Sequence, residues 1–306
     1  MDLLIAFLAS TAGAATPLVL AAMGELIAER AGVINLGVEG MMLIGAVTGF
    51  SVTLATGHIG LGLFAAMVAG VAASLIFAFL VLTLQANQVA TGLALTLFGI
   101  GFSAFEGRSL LGQTVTPLPH LQIPVLSDLP FLGPLLFRFD ILVYLSVLVV
   151  LAASWILART RLGLIIRAVG ESPRSAHAIG VPVIGLRYGA VLFGGAMAGV
   201  AGAYLSVSLT PMWVEGMTAG RGWIAVAQVV FATWKPRGIL IGAYLFGGVT
   251  VLQFQGQAMG LTVPSEFLSM LPYLATIAVL VIIGRNPRTI LLNRPMSLGQ
   301  NFRPDS

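Results

Sequence analysis

Long apolar runs separated by short polar punctuation dominate the chain. They fall near residues 3–23, 33–56, 59–84, 87–105, 140–158, 188–209, 221–234, 238–255 and 267–284. Most approach the roughly 20 residues that a helix needs to cross a bilayer. The pattern predicts an all-α fold: a polytopic transmembrane helical bundle of about nine spans. The stretch 221–234 is the shortest and is open to a second reading, a re-entrant half-helix.

One polar segment interrupts this pattern, WILARTRLGLIIRAVGESPRSAHAIGVPVIGLRY. Ser172 suits an N-cap and Pro173 the first helical turn, while Gly180 suits the position past a C-terminus and Pro182 forbids continuation. A short helix over 173–179 is expected. A capped helix between two spans points to docking on a soluble partner, with a helix lying on lipid headgroups as the alternative.

Charge sets the orientation. Placing the arginine-rich segment in the cytoplasm puts Arg30, Arg159, Arg161, Arg167, Arg174, Arg187, Lys235, Arg237, Arg285, Arg288, Arg294 and Arg303 inside, and Arg108, Arg138 and Arg221 outside. That asymmetry predicts an outside N-terminus and a cytoplasmic C-terminus. The expected organisation is a transmembrane domain over 1–284, with an external loop at 106–139 and a cytoplasmic loop at 159–187. A cytoplasmic tail follows at 285–306 and reads as partly disordered. The external loop, with its prolines, Gly112 and Gly133, joins the segments 210–220 and 256–266 in a face that includes Arg108, Asp128, Glu215 and Glu266. The opening MDLLIAFLASTAGAA lacks the positive n-region of a secretory signal and reads as a retained first span.

Composition narrows the function classes. Hydrophobic residues make up 58% and charged residues 8% of the 306, against about 25% charged in soluble domains, and the mean hydropathy is +1.01. The chain belongs in a bilayer. It has no cysteine, which excludes disulfides and thiolate metal sites. His58, His120 and His177 lack ligand spacing, so no metal site is expected. The net charge of +4 reflects topology and gives no reason to expect a nucleic-acid partner.

Catalytic signatures are missing as well. There is no G-x-x-x-x-G-K-[ST] loop, and the one lysine, Lys235, lies between Trp234 and Pro236. The chain therefore has no phosphate loop with which to hydrolyse ATP. GLGLFA and GIGFSA match a dinucleotide fingerprint only by chance, since both lie in apolar helical stretches.

Polar residues in or beside spans are costly there and mark candidate function. Asn35, Gly37, Glu39 and Gly40 interrupt the run GELIAERAGVINLGVEGMMLIGA and allow an unwound segment beside a pathway. The alternative is that Glu39 pairs with an arginine and the glycines pack helices. Asn87, Gln88 and Thr91 open the fourth span as either polar pathway residues or a helix cap. In GRGWIAVAQVVFATWKPRG, Trp223 and Trp234 read as interfacial anchors flanking Gln228, and a belt plus a tight turn would explain them equally. Gly45-x-x-x-Gly49 and Gly195-x-x-x-Gly199 support close helix packing. Only Glu39 stands out as an intramembrane acid. A transporter driven by a soluble partner therefore fits better than an ion-coupled carrier.

These stretches resemble a known family. GELIAERAGVINLGVEGMMLIGA, NQVATGLALTLFGIG and GRGWIAVAQVVFATWKPRGILIGAYLFG are similar to the membrane permeases of bacterial ATP-binding-cassette (ABC) importers of the branched-chain amino acid and ribose type. Within that type, the likeness is to the subgroup associated with nucleoside and simple-sugar uptake. The resemblance implies a multi-pass protein of the bacterial cytoplasmic (inner) membrane that is not an enzyme. It implies that Glu171, Ser172, Pro173, Arg174, Ala176, Ala178, Ile179 and Gly180 dock on a cytoplasmic ABC ATPase, which binds ATP and Mg so that this chain holds no cofactor. It implies an extracytoplasmic substrate-binding protein and a second homologous permease, preferably in a heterodimer, with a homodimer as the alternative. The expected cargo is a nucleoside, with a simple sugar or branched-chain amino acid as the alternative. A stand-alone secondary transporter is the rival class.

Overall fold

A computed structural model describes residues 2–121, 132–258, 267–268, 270–284 and 293–304. Among the described residues, seven helices are long and apolar enough to cross a membrane. They are α1 (Asp2–Arg30), α2 (Val38–Thr56), α3 (Ile59–Ala78), α4 (Gln88–Gly107), α6 (Ile141–Arg159), α9 (Val183–Tyr204) and α11 (Pro236–Ala258). Shorter helices lie between and after them: α5 (Leu132–Leu136), α7 (Arg161–Glu171), α8 (Pro173–Ala178), α10 (Arg221–Phe231) and α12 (Leu271–Gly284). Two of the nine expected stretches, 221–234 and 267–284, thus hold helices of only 11 and 14 residues. Among the described residues there is no strand. Single antiparallel bridges join Thr114 to Met212 and His120 to Asp140.

Local chemistry fixes where these helices begin. Asn87 accepts a hydrogen bond from the Ala90 amide at 3.0 Å and starts α4. Asp140 accepts from the Leu142 and Val143 amides at 2.9 and 3.2 Å and starts α6. Each side chain satisfies donors that a helix N-terminus leaves open.

Helix α9 runs through the centre against α1, α2 and α3, while α1 also packs on α10 and α11, and α2 on α4. Lipid tails offer no hydrophobic driving force between helices, so close packing has to supply it. A Cβ on Gly45 would lie 2.6 Å from the Gly199 Cα, and one on Gly70 would lie 3.0 Å from it. The small-residue spacings therefore mark the α2–α9–α3 seam. Gly185, also on α9, is the natural control, because a Cβ there would meet nothing within 4 Å. Gly45→Ala is expected to destabilise by about 1–3 kcal/mol through overpacking, whereas Gly185→Ala is expected to be neutral or stabilising. Thermal unfolding of the purified chain in detergent compares the two, and equal midpoints would remove the packing argument.

One end of the bundle collects most of the cations. Arg30, at the end of α1, donates to the Trp234 carbonyl at 3.0 and 2.6 Å and to the Asn293 carbonyl at 3.3 Å. Arg187 is 1% exposed, and its guanidinium donates to the Ala31 carbonyl, the Gln300 carbonyl and Ser297 Oγ at 3.0, 3.0 and 3.1 Å.

Two expectations change here. The tail residues 293–304 are not loose, because Ser297, Leu298 and Phe302 are buried and Arg187 binds Ser297 and Gln300 among them. Trp234 is not an interfacial anchor: it is 2% exposed and its indole N–H donates to Glu29 Oε2 at 2.6 Å. Arg221 donates to the Met217 and Thr218 carbonyls beside the start of α2. Asp128, Glu266, Arg285 and Arg288 lie outside the described residues.

Candidate functional site

The turn between α1 and α2 is the unwound segment that its glycines and Asn35 foretold, and it is buried. The Asn35 amide donates to Glu25 Oε1 at 2.8 Å, and Asn35 Oδ1 accepts from the Gly37 amide at 2.9 Å. Gln88 Oε1 accepts from the Ile34 amide at 2.9 Å, and Thr96 Oγ1 donates to the Leu36 carbonyl at 2.9 Å. Backbone groups freed by unwinding are thus answered by side chains from α1 and α4, as burial in an apolar medium requires. Gly37 and Gly40 let α4 approach, since a Cβ on Gly40 would sit 2.7 Å from the Thr96 Cα.

Glu39 has a more particular task. Its Oε1 accepts from Thr218 Oγ1 at 2.6 Å and the Gly220 amide at 2.9 Å, and its Oε2 accepts from the Gly222 amide at 2.6 Å. A carboxylate from α2 therefore caps the N-terminus of α10, where open amides and the positive dipole end favour an anion. Gly220, at φ 76°, supplies the left-handed turn that aims those amides at Glu39.

The candidate pathway residues therefore divide. Asn35, Glu39, Gln88 and Gln228 are between 0 and 6% exposed and, with Gly37 and Gly40, belong to the interior of this chain. The Gln228 amide donates to the Ile239 carbonyl at 2.6 Å, joining α10 to α11. Asn87 is exposed, Thr91 half-buried, and Trp223 43% exposed on α10. Asn87 and Thr91 line a recess between α3 and α4 with Ile76, Phe77 and Leu80, while Trp223 lies next to Gly222, which packs on Glu39.

Two buried acids escaped the sequence reading. Glu25 and Glu29 are 1% and 2% exposed and lie four residues apart on α1, so they share a face. The spacing in GELIAER was the available signal. Glu39 is thus one of three buried carboxylates that tie separate elements together around the α1–α2 turn and α10. Asp140 does the same at the start of α6, where it accepts from Tyr204 Oη at 2.8 Å.

The arginine-rich segment folds as two helices. Thr160 caps α7, accepting from the Gly163 amide at 3.2 Å, and this helix was not anticipated. Ser172 caps α8 by accepting from the Ser175 amide at 3.3 Å, with Pro173 in its first turn. The helix ends one residue earlier than expected, at Ala178, and Gly180 follows at φ 86°. Glu171, Arg174, Ala178, Ile179 and Gly180 are exposed and Ser172 and Pro173 half-buried. Ile179 reaches 80% exposure. Ala176 faces the other way, buried with Val169, Val183 and Phe302, so it anchors α8 and presents no docking surface.

Seven long apolar helices around a buried polar hub define a polytopic membrane protein. Among the described residues no group of three or more His, Asp or Glu could hold a metal. Residues 7–280 match the family described as the branched-chain amino acid transport system permease component, and the chain belongs to that family. It is the permease component of an ABC importer, a multi-pass membrane protein of a transport family and not of an enzyme family. It works with an ATPase and a substrate-binding protein, as its family does.

Three relatives are similar over most of their length. A Haloferax volcanii protein named as a glucose ABC transporter permease is 43% identical, over 99% of this chain and 98% of the relative. The guanosine ABC transporter permease of Bacillus subtilis is 36% identical, over 89% of this chain and 90% of the relative. The nucleoside ABC transporter permease of Lactococcus lactis is 31% identical, over 87% and 88% respectively.

Proposed function

We propose that this permease carries nucleosides inward, in a heterodimer with a homologous second permease. The observation that carries the substrate reading is the similarity, over 89% and 87% of this chain, to two permeases named for guanosine and nucleosides. The Haloferax relative named for glucose favours a simple sugar as the second reading. Both cargoes present a hydroxylated furanose or pyranose ring.

Nine crossings, with the N-terminus outside and the C-terminus cytoplasmic, accord with the arrangement of the ends. Met212 pairs with Thr114 near the end where α4 finishes, whereas Trp234 meets Arg30 at the other. The eleven residues of α10 rise only about 16 Å, so the non-helical backbone over 212–220, which turns at 215–220, completes that passage and Glu39 satisfies its amides. The half-helix and the crossing are then one structure. Helix α12 begins beside the same point, since Tyr273 Oη donates to the Ala219 carbonyl at 2.9 Å.

In this reading the transmembrane domain spans 1–284 and the cytoplasmic tail 285–306. Asn87, Thr91 and Trp223 line the pathway, and the buried group Asn35, Gly37, Glu39, Gly40, Gln88 and Gln228 holds the wall behind them. Glu171, Ser172, Pro173, Arg174, Ala178, Ile179 and Gly180 form the coupling surface, with Ala176 as its anchor. ATP and Mg reside in the ATPase subunit and no cofactor in this chain. Closure of the ATPases would move α8 and, through Ala176, rock the bundle.

The test is uptake in cells with the chromosomal copy deleted and restored. Labelled guanosine entry is expected to fall to background on deletion and return on complementation, with glucose entry unchanged. Loss of glucose entry alone would transfer the assignment to the sugar.

A further inference from the structure

We propose that the cleft between α6, α7 and the α10–α11 turn is a binding site for the phosphate headgroup of an anionic phospholipid. The inference rests on the membrane setting and not on the transported substrate.

The cleft measures about 530 Å³, and its walls include Arg30, Arg167, Lys235 and Arg237 together with the apolar Leu157 and Phe231. Four cations in one recess repel one another unless an anion joins them. Arg30 spends its donors on neutral carbonyls, and it feels the repulsion of Arg167 as well as the attraction of Glu171. Arg167, Lys235 and Arg237 are exposed, and none has a carboxylate partner in an ion pair among the described residues. Glu171 lines the adjoining cleft of about 300 Å³ that shares Arg30 and Arg167, and supplies one negative charge against the four.

What lies along the helices below the cleft selects a lipid over a free anion. Arg237, Ile241 and Leu245 follow at four-residue spacing on α11, so they share one face, and Ile241 and Leu245 are 72% and 44% exposed. On α6, Leu148, Leu151 and Trp155 make a matching stripe, all more than half exposed, and it leads up to Ala158 at the cleft wall. Two apolar stripes thus run down the membrane-facing side from a cationic recess. A headgroup phosphate in the recess with acyl chains along the stripes meets both chemistries, as basic recesses between membrane helices do for anionic headgroups. A soluble anion would leave the stripes unused.

The full chain, purified in mild detergent, would be titrated with phosphatidylglycerol or phosphatidylcholine and bound lipid counted by native mass spectrometry. One tight phosphatidylglycerol is expected, with phosphatidylcholine weaker. Lys235→Gln with Arg237→Gln should weaken phosphatidylglycerol binding about 25-fold, roughly fivefold for each cation, at an unchanged thermal midpoint. Arg159→Gln with Arg161→Gln, exposed at the same end but outside the cleft, should leave binding intact. Equal weakening by that control pair would reduce the effect to general surface charge and overturn the site. Displacement of the lipid by submillimolar inorganic phosphate would make it a free-anion site, also against the proposal. Unaltered lipid binding in the Lys235/Arg237 variant, with or without loss of ATPase pull-down, would overturn it too.

Discussion

Glu39→Ala is expected to abolish transport and to lower the stability of the chain by about 3–6 kcal/mol. Truncation leaves Thr218 Oγ1 and the amides of Gly220 and Gly222 without the acceptor they share. An orphaned buried donor costs about 1–3 kcal/mol, and here the non-helical backbone before α10 depends on the same carboxylate. Glu39→Gln keeps one acceptor oxygen but turns an amide N–H toward another donor, so an intermediate loss is expected. Glu39→Asp keeps the charge and withdraws it by one methylene, which should fall between Gln and wild type. Thermal unfolding followed by tryptophan fluorescence is well placed, because Trp223 and Trp234 bracket α10. If Glu39→Ala matched wild type in both midpoint and substrate uptake, the hub would be incidental to the fold and to the function.

Arg174→Glu combined with Ile179→Asp is expected to weaken ATPase association at least tenfold while the permease reaches the membrane in normal amount. Both side chains are exposed at α8, so neither exchange creates a cavity or buries a charge. A large apolar side chain at 80% exposure is suited to a partner's apolar recess, and removing such an anchor from an interface costs on the order of 2 kcal/mol or more. Reversing the charge of Arg174 adds repulsion wherever the partner offers an acid. Pull-down of the ATPase and binding-protein-stimulated hydrolysis should fall together. Ala176→Leu distinguishes docking from anchoring: it crowds Val169, Val183 and Phe302 and should lower thermal stability in isolated permease, which the surface pair should not. Full ATPase association by the surface pair would favour the alternative that α8 lies on lipid.

The legible parts of this protein were those set by local physics. Seven apolar runs became seven long helices because a bilayer leaves the backbone no other way to satisfy its polar groups. Ser172, Pro173 and Gly180 marked α8 to within one residue because caps act through neighbours in sequence. Helix α7 passed unnoticed for a related reason: its one cap, Thr160, and its apolar face over Leu162, Ile166 and Val169 blend into the end of α6. The site was less legible. Glu39 was singled out, yet its acceptor role depends on Gly220 and Gly222, some 180 positions away.

Membership of a bilayer, helical class, the charge asymmetry and the capped helix α8 were determined by the sequence itself, since each follows from composition or from residues within a few positions of one another. Tertiary structure alone decided that Trp234 turns inward to Glu29, that Arg187 holds the tail against the bundle, and that Glu39 caps a half-helix. It also decided which polar residues stay inside and which stand at the surface. These outcomes share a physical reason. A buried polar group must find a partner wherever the fold provides one, and the partner's position along the chain leaves no local trace.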